Sequence, residues 1–295
     1  MNNQEKYFEI ILETIYRRNN IDFSQYRRGT IERRLARRLI ATGSRDYREY
    51  LKVLEEDPQE YGRLIKDLTI KVSHFFRDQS LFQILLDELF PDLLNAKEER
   101  GDNTLRIWSA GCAQGEETYS ITIVLVEYLK QHYKDIDHYH ISIFGTDVDE
   151  DALDMARFGV YDVNAIKEVE DDILKKYFIP ITTKKIDPVG NVTIDTSGYQ
   201  LIDSIRNLVV FSTHNLTSRV AMSPSPGIIS NYDLIFCRNV LIYFSHPLQE
   251  KAFFNLSHSL NSGGFLVLGK SESIPKELEN VFIPYSPQFR IYKKK

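Results

Sequence analysis

The segment LRIWSAGCAQGEETYS (105–120) places two glycines, Gly111 and Gly115, in a turn that runs straight into two acids, Glu116 and Glu117. A glycine turn at the end of a strand lets a ligand come close to the backbone, as nucleotides do in open α/β sheets. The spacing is not GxGxxG, and paired carboxylates repel a pyrophosphate but attract an ammonium, so the turn suits a cofactor without phosphates. Equally, Glu116 and Glu117 could do no more than complement the dipole of the following helix. Further along, FGTDVD (144–149) ends a second strand with Asp147, placed to accept hydrogen bonds from two ribose hydroxyls, while Asp149 reads as the N-cap of the next helix. Asp147 lies 36 residues after Gly111. That is longer than the roughly 20 residues of a dinucleotide fingerprint, which argues against a nicotinamide oxidoreductase. Two more segments carry chemistry. IFCRNVLIYF (235–244) sets Arg238, Asn239 and Tyr243 just past a strand, and KVSHFFRD (71–78) offers Arg77 beside a Phe75–Phe76 pair that reads as interdomain core.

These residues need elements to hold them. Residues 1–95 read as helices only. Ile31, Leu35 and Leu39 recur at helical spacing with Arg33, Arg34, Arg37 and Arg38 beside them, and Gly43 ends that helix. Asp46, Asp57 (before Pro58) and Asp78 are read as N-caps of three further helices. NAKEERGDN (95–103) reads as the seam, which gives an N-terminal helical domain over 1–95 and a second domain over 96–295. From residue 104 strands alternate with helices, the pattern of an α/β, Rossmann-like doubly wound sheet. Its strands are LRIWSAG, HISIFGTD, NLVVFST, YDLIFC and GGFLVLG, with helices over EETYSITIVLVEYLKQHY, EDALDMARFG and 247–260. VFIPY and FRIYK suit an antiparallel edge hairpin, and β-branched runs broken by Pro188, Gly190 and Gly198 suit a small antiparallel insert at about 184–206.

Bulk properties set outer limits. The 295 residues exceed a usual single domain, and 42% hydrophobic with 27% charged residues is ordinary globular composition. No run approaches the roughly 20 apolar residues of a membrane span, and the N-terminus lacks a signal-peptide pattern, so a cytoplasmic chain without membrane insertion is expected. Cys112 and Cys237 lie in apolar strand-like segments and are expected to be packed thiols, with no metal site. A net charge of −5 disfavours nucleic-acid binding, yet residues 27–38 hold six arginines against one acid, Glu32, a local +5.

Taken together, the segments RRGTIERRLARRL (27–39), SHFFRD (73–78), RIWSAGCAQGEETYSI (106–121), GTDVDEDALDMARFGVY (145–161), FSTHNL (211–216), DLIFCRNVLIYF (233–244) and GGFLVLGKSES (263–273) resemble the chemotaxis-receptor glutamate methyltransferase family known as CheR. The resemblance spans nearly the whole chain. It implies a methyltransferase sheet that uses S-adenosylmethionine, yields S-adenosylhomocysteine and esterifies glutamates on the cytoplasmic helical domain of a methyl-accepting chemoreceptor, the enzyme acting as a monomer. By the same resemblance Ser73, Arg77, Gly111, Glu117, Asp147, Asn215, Leu216, Arg238 and Asn239 line the cofactor site, Tyr243 sits near the departing methyl, and Arg77 brings in the substrate carboxylate. Glu117 would serve the methionyl portion, and Asn215 with Leu216 the adenine. The insert would contact receptor tails in some subfamilies. Lys71 and Ser73 stand where relatives often carry Asn and Thr, Thr118 where proline is usual, and Lys270 where histidine is common; Lys71 is left out of the site for that reason. A substrate rich in acids would be met by the arginine-rich helix, through Arg33, Arg34, Arg37 and Arg38. An adaptor without activity would lack key site residues, and these are present.

Overall fold

In a computed structural model of the chain, residues 3–19, 22–69, 73–133, 138–186, 192–217 and 231–295 are described. Lys71, Pro188 and Gly190 lie outside them. Four helices come first: α1 (Asn3–Asn19), α2 (Arg28–Thr42), α3 (Tyr47–Glu56) and α4 (Pro58–Leu68). Asp46 accepts the Glu49 N–H and Asp57 the Gln59 N–H, with Pro58 at the first helical position, while Gly43 closes α2 at φ 70°. Phe8, Ile11, Ile15, Ile31, Leu35, Tyr50, Leu54 and Leu64 make one apolar core among these helices.

α5 (Gln79–Ile84) continues through a π-helical stretch (Leu85–Leu89) into α6 (Phe90–Glu98). Leu81, Leu85, Leu89, Leu93 and Leu94 pack in the same core as the sheet that follows. At the start of α5 the expectation of a side-chain cap is overturned. Asp78 occupies the cap position in the left-handed region (φ 68°) but accepts no backbone N–H there. Its carboxylate is drawn instead to Arg238 and Lys270, since charge-assisted hydrogen bonds outcompete a cap to a neutral amide.

The main sheet has the order β6 (Val209–Thr213), β2 (His140–Asp147), β1 (Thr104–Ala110), β7 (Tyr232–Cys237), β8 (Leu260–Leu268), β10 (Ile291–Lys294), β9 (Phe282–Ser286). The first five are parallel and the last two form the antiparallel edge. β7 is buried along its whole length, as a central parallel strand covered on both faces must be. α7 (Glu116–Tyr133), α8 (Glu150–Phe158) and α11 (His246–Ser259) link the strands, and Asp149 caps α8 by accepting the Ala152 N–H. Cys112 and Cys237 are free and buried.

In a second sheet β5 (Val192–Leu201) pairs antiparallel with both β4 (Phe178–Ile186) and β3 (Val160–Tyr161). β4 begins at Phe178, before the 184 expected, and β3 adds Val160–Tyr161 to the sheet; Pro180 lies on β4, an edge strand, where proline is tolerated. α9 (Asp171–Tyr177) leads into β4, and α10 (Asp203–Arg206) follows β5. Phe75 packs edge-on against Tyr161 and Phe178, so this ring joins α5 and α6 in the core they share with both sheets. Among the described residues, no helix is long and apolar enough to cross a membrane.

Candidate active site

Sheet order reverses between β1 and β7, and the turns leaving these two strands face one another there. The Gly111 and Cys112 N–H groups both donate to the Thr146 carbonyl, at 2.7 and 2.9 Å. Gly111 takes φ 75°, and a Cβ on it would come within 2.4 Å of Val240 Cγ2. Only glycine lets the two turns meet so closely.

Asp147 ends β2 beside this turn. Its carboxylate accepts the Ala113 N–H (2.9 Å) and the Asp149 N–H (3.0 Å). A carboxylate offers about four acceptor positions, so capacity remains for ribose hydroxyls. Burial raises its pKa above the ordinary carboxylate value against the pull of those two N–H groups. Around Asp147, one lobe of a chamber is lined by Gly111, His214, Asn215, Leu216 and Tyr243, together with Tyr26, Thr30 and Thr69 from the helical domain. The Asn255 amide holds the Leu216 carbonyl at 2.8 Å, and Asn215 Oδ1 accepts from Thr217. His214, packed edge-on to Trp108, leaves Nε2 buried without a partner, and burial lowers its pKa to about 4.

A second lobe is lined by Ser73, Arg77, Glu117, Arg238 and Ile242, and it shares Gly111, Ala113, Asn239 and Tyr243 with the first. Arg238 is almost wholly buried and clamps two carboxylates, Glu117 at 2.9 Å and Asp78 at 2.5 Å. Although burial opposes ionisation, the hydrogen bond from Lys270 and the charges of Arg238, Lys270 and Arg77 hold Asp78 below the usual carboxylate value. Glu117 also accepts from the Ser109 hydroxyl at 3.2 Å.

Every expected cofactor residue therefore lines one or both of these adjoining lobes: Ser73, Arg77, Gly111, Glu117, Asp147, Asn215, Leu216, Arg238 and Asn239, with Tyr243 common to both. Glu116 and Glu117 part company. Successive helical residues point about 100° apart, so Glu117 reaches the chamber while Glu116 turns into an adjoining groove beside Ser73. Burial pushes Glu116 up to about 7, opposed by hydrogen bonds that include the Ser73 hydroxyl, and its Oε2 has no partner.

The four arginines expected to meet the substrate, Arg33, Arg34, Arg37 and Arg38, divide as well. Arg38 donates to both oxygens of buried Glu60, at 2.9 and 2.6 Å, and Tyr50 donates to the same carboxylate. Arg34 donates to the Asp67 carbonyl. Arg33 and Arg37 are exposed, Arg37 lying 3.6 Å from Asp67. Of the four, Arg34 and Arg38 thus tie α2 to α4, and Arg33 and Arg37 face solvent.

Sequence reasoning missed the contribution of the helical domain. Tyr26 pairs with Phe244 in an isolated antiparallel bridge, the Arg27 N–H donates to the Tyr243 carbonyl (2.8 Å), and Thr69 donates to Asp149 (2.8 Å). The segment before α2 is thereby laid along the Tyr243 turn. Nothing local in FSQYRR signals this, since the pairing joins residues more than 200 positions apart. Asp78, read only as a helix cap, and Glu272, with no role assigned, both lay inside matching segments.

The family model described as "CheR methyltransferase, SAM binding domain" matches residues 71–289, and that described as "CheR methyltransferase, all-alpha domain" matches residues 6–69. Chemotaxis protein methyltransferase 2 of Vibrio cholerae is 32% identical over 263 residues, covering 88% of this chain and 83% of its own length. The chemotaxis protein methyltransferase of Salmonella typhimurium is 31% identical, with 91% and 84% covered, and that of Escherichia coli 30%, with 91% and 85%. With both family models matched in order along the helical domain and the sheet, and with relatives this similar over most of their length, the chain belongs to the CheR family of S-adenosylmethionine-dependent chemotaxis protein methyltransferases.

Proposed function

We propose that this chamber aligns a glutamate carboxylate of a chemoreceptor's cytoplasmic helical domain for in-line methyl transfer, giving a methyl ester and S-adenosylhomocysteine. The observation that supports this reading most is that the two adjoining lobes share Gly111, Ala113, Asn239 and Tyr243 as lining, with Asp147 on one lobe and Arg77 on the other. S-adenosylmethionine, when bound, supplies an electrophilic methyl group on a sulfonium. Asp147 accepts the ribose hydroxyls, Asn215 and Leu216 border the adenine, and Glu117 faces the methionyl ammonium. Ser73, Gly111 and Asn239 complete the walls, and Arg238 holds Glu117 in place. Arg77 draws in the substrate carboxylate, and Tyr243 sits beside the methyl group. A glutamate with a pKa near 4.3 is ionised at neutral pH, so no general base is required. The work left to the protein is orientation, for which misplacement by about 1 Å can cost on the order of 10²-fold. We place the reaction in the cytoplasm, where the acceptor domain lies.

The test is transfer of label from S-adenosylmethionine to a purified receptor cytoplasmic domain, followed by base treatment to release volatile methanol. Wild type is expected to give base-labile label. Arg77→Ala should lower turnover by on the order of 10²-fold and Tyr243→Phe by roughly tenfold, both with wild-type circular dichroism. Absence of base-labile label with wild type would remove the glutamate ester from the reading, and full activity in both variants would remove these two residues from the reaction.

Receptor recognition is assigned to the solvent-facing arginines of α2. Reversing Arg38 would leave Glu60 buried against a new carboxylate, at about 3–5 kcal/mol, so a loss there would report on folding. Arg33→Glu with Arg37→Glu avoids that confusion. This double variant is expected to methylate the receptor several-fold more slowly in low salt with unchanged affinity for S-adenosylhomocysteine, the difference vanishing toward 0.5 M salt, where screening acts within about 4–5 Å. Rates equal to wild type in low salt would return these arginines to ordinary surface.

A further inference from the structure

We propose that Glu272 is a positioning residue for methyl transfer, holding the turn that carries Asn239, Val240 and Tyr243 through backbone N–H groups alone. This rests on the reading that Tyr243 lies beside the transferred methyl. Glu272 is 4% exposed and lines neither lobe of the chamber. Its Oε1 accepts the N–H groups of Val240 (2.9 Å), Leu241 (2.8 Å) and Ile242 (3.3 Å). Its Oε2 accepts those of Asn239 (2.9 Å) and Gly269 (2.7 Å).

These donors need a partner. Leu241–Tyr243 is a single 3-10 turn whose leading N–H groups have no acceptor within it, and Asn239 stands at φ 60°, a conformation that a non-glycine residue adopts only when its surroundings hold it. A buried carboxylate does both things at once: it satisfies five donors and fixes the backbone between Arg238 and Tyr243. Gly269 makes the approach possible, because a Cβ there would fall 2.7 Å from Glu272 Oε2 and 2.9 Å from the Asn239 nitrogen. On its other side the held turn presses Val240 against Gly111 and sets Tyr243 in the chamber.

The substitution that isolates this role is Glu272→Gln. Its single carbonyl oxygen can serve the three donors of one corner, leaving an NH₂ opposed to the Asn239 and Gly269 N–H groups. Arg238 keeps Glu117 and Asp78, so cofactor affinity has independent support. In the full-length enzyme, E272Q is expected to lower Tm by several degrees, because two buried N–H groups lose their acceptor, and to lower kcat for receptor methylation by on the order of 10- to 100-fold, while KM for S-adenosylmethionine and the Kd for S-adenosylhomocysteine change far less than kcat. A wild-type kcat would overturn the proposal, and so would a fall in kcat matched by an equal loss of cofactor affinity, which marks a merely structural role. If E272Q does not fold, Glu272→Asp replaces it: the retained carboxylate is expected to leave more turnover than Glu272→Ala at equal cofactor affinity, and equal turnover in the two overturns the proposal. Wild type, assayed alongside, separates this inference from the methylation reading, since failure of wild type to methylate counts against that reading only.

Discussion

Arg238→Met is expected to lose cofactor affinity and about 3–5 kcal/mol of stability together, the largest combined effect of any substitution in the chamber. The guanidinium is 3% exposed and bridges Glu117 and Asp78, carboxylates contributed by α7 and by the start of α5. Methionine fills similar volume but leaves Glu117 in a partly buried site without a cation, whereas Asp78 keeps Lys270. The cost falls on Glu117 above all, the group proposed to face the methionyl ammonium. For a chain of this size the loss corresponds to a Tm lower by roughly 5–15 °C. Thermal unfolding and calorimetry with S-adenosylhomocysteine measure both parts. Arg238→Lys separates charge from geometry, because one ammonium cannot span two carboxylates as a planar fork does; it should recover part of the stability and little of the affinity. An Arg238→Met protein with wild-type Tm would show that the bridge contributes nothing to the fold.

Asp147→Ala comes next. Two hydrogen bonds from ribose hydroxyls to an ionised acceptor contribute about 1.5–3 kcal/mol each, so the Kd for S-adenosylhomocysteine is expected to rise by on the order of 10²-fold or more. The substitution also releases the Ala113 and Asp149 N–H groups, which loosens the Gly111–Gly115 turn and the entry to α8. Asp147→Asn keeps one acceptor oxygen and should fall between. pH gives a separate test. Burial raises the pKa of Asp147 in the free protein, and hydroxyl donors favour its ionised form, so binding opposes protonation. Affinity should be flat at neutral pH and decline on acidification, starting above the pH near 4 at which an unperturbed aspartate titrates. Calorimetry across that range in wild type and Asp147→Ala decides it: the variant should lack the decline, and an unchanged Kd in Asp147→Ala would sink the ribose assignment.

What the sequence determined by itself is local or follows from strand direction. Apolar periodicity placed α7, β2, β7 and α11 within a few residues of their observed bounds, and Asp46, Asp57 and Asp149 cap their own helices because a cap bonds only two or three residues onward. Parallel strands end at one edge, so naming strand ends was enough to bring Gly111, Asp147 and Arg238 together without knowing any contact. Tertiary structure decided the rest, wherever a long charged side chain chooses between partners far apart in sequence. Asp78 has a cap position within reach and takes Arg238 and Lys270 instead. Arg38, one of six arginines in a basic run, turns inward because Glu60 lies buried across from it. Tyr26 reaches the chamber through a bridge to Phe244, and Glu272 gathers N–H groups from two loops. Ion pairs and buried carboxylates draw their free energy from desolvated neighbours, and which neighbours those are is set by the packed fold rather than by position along the chain.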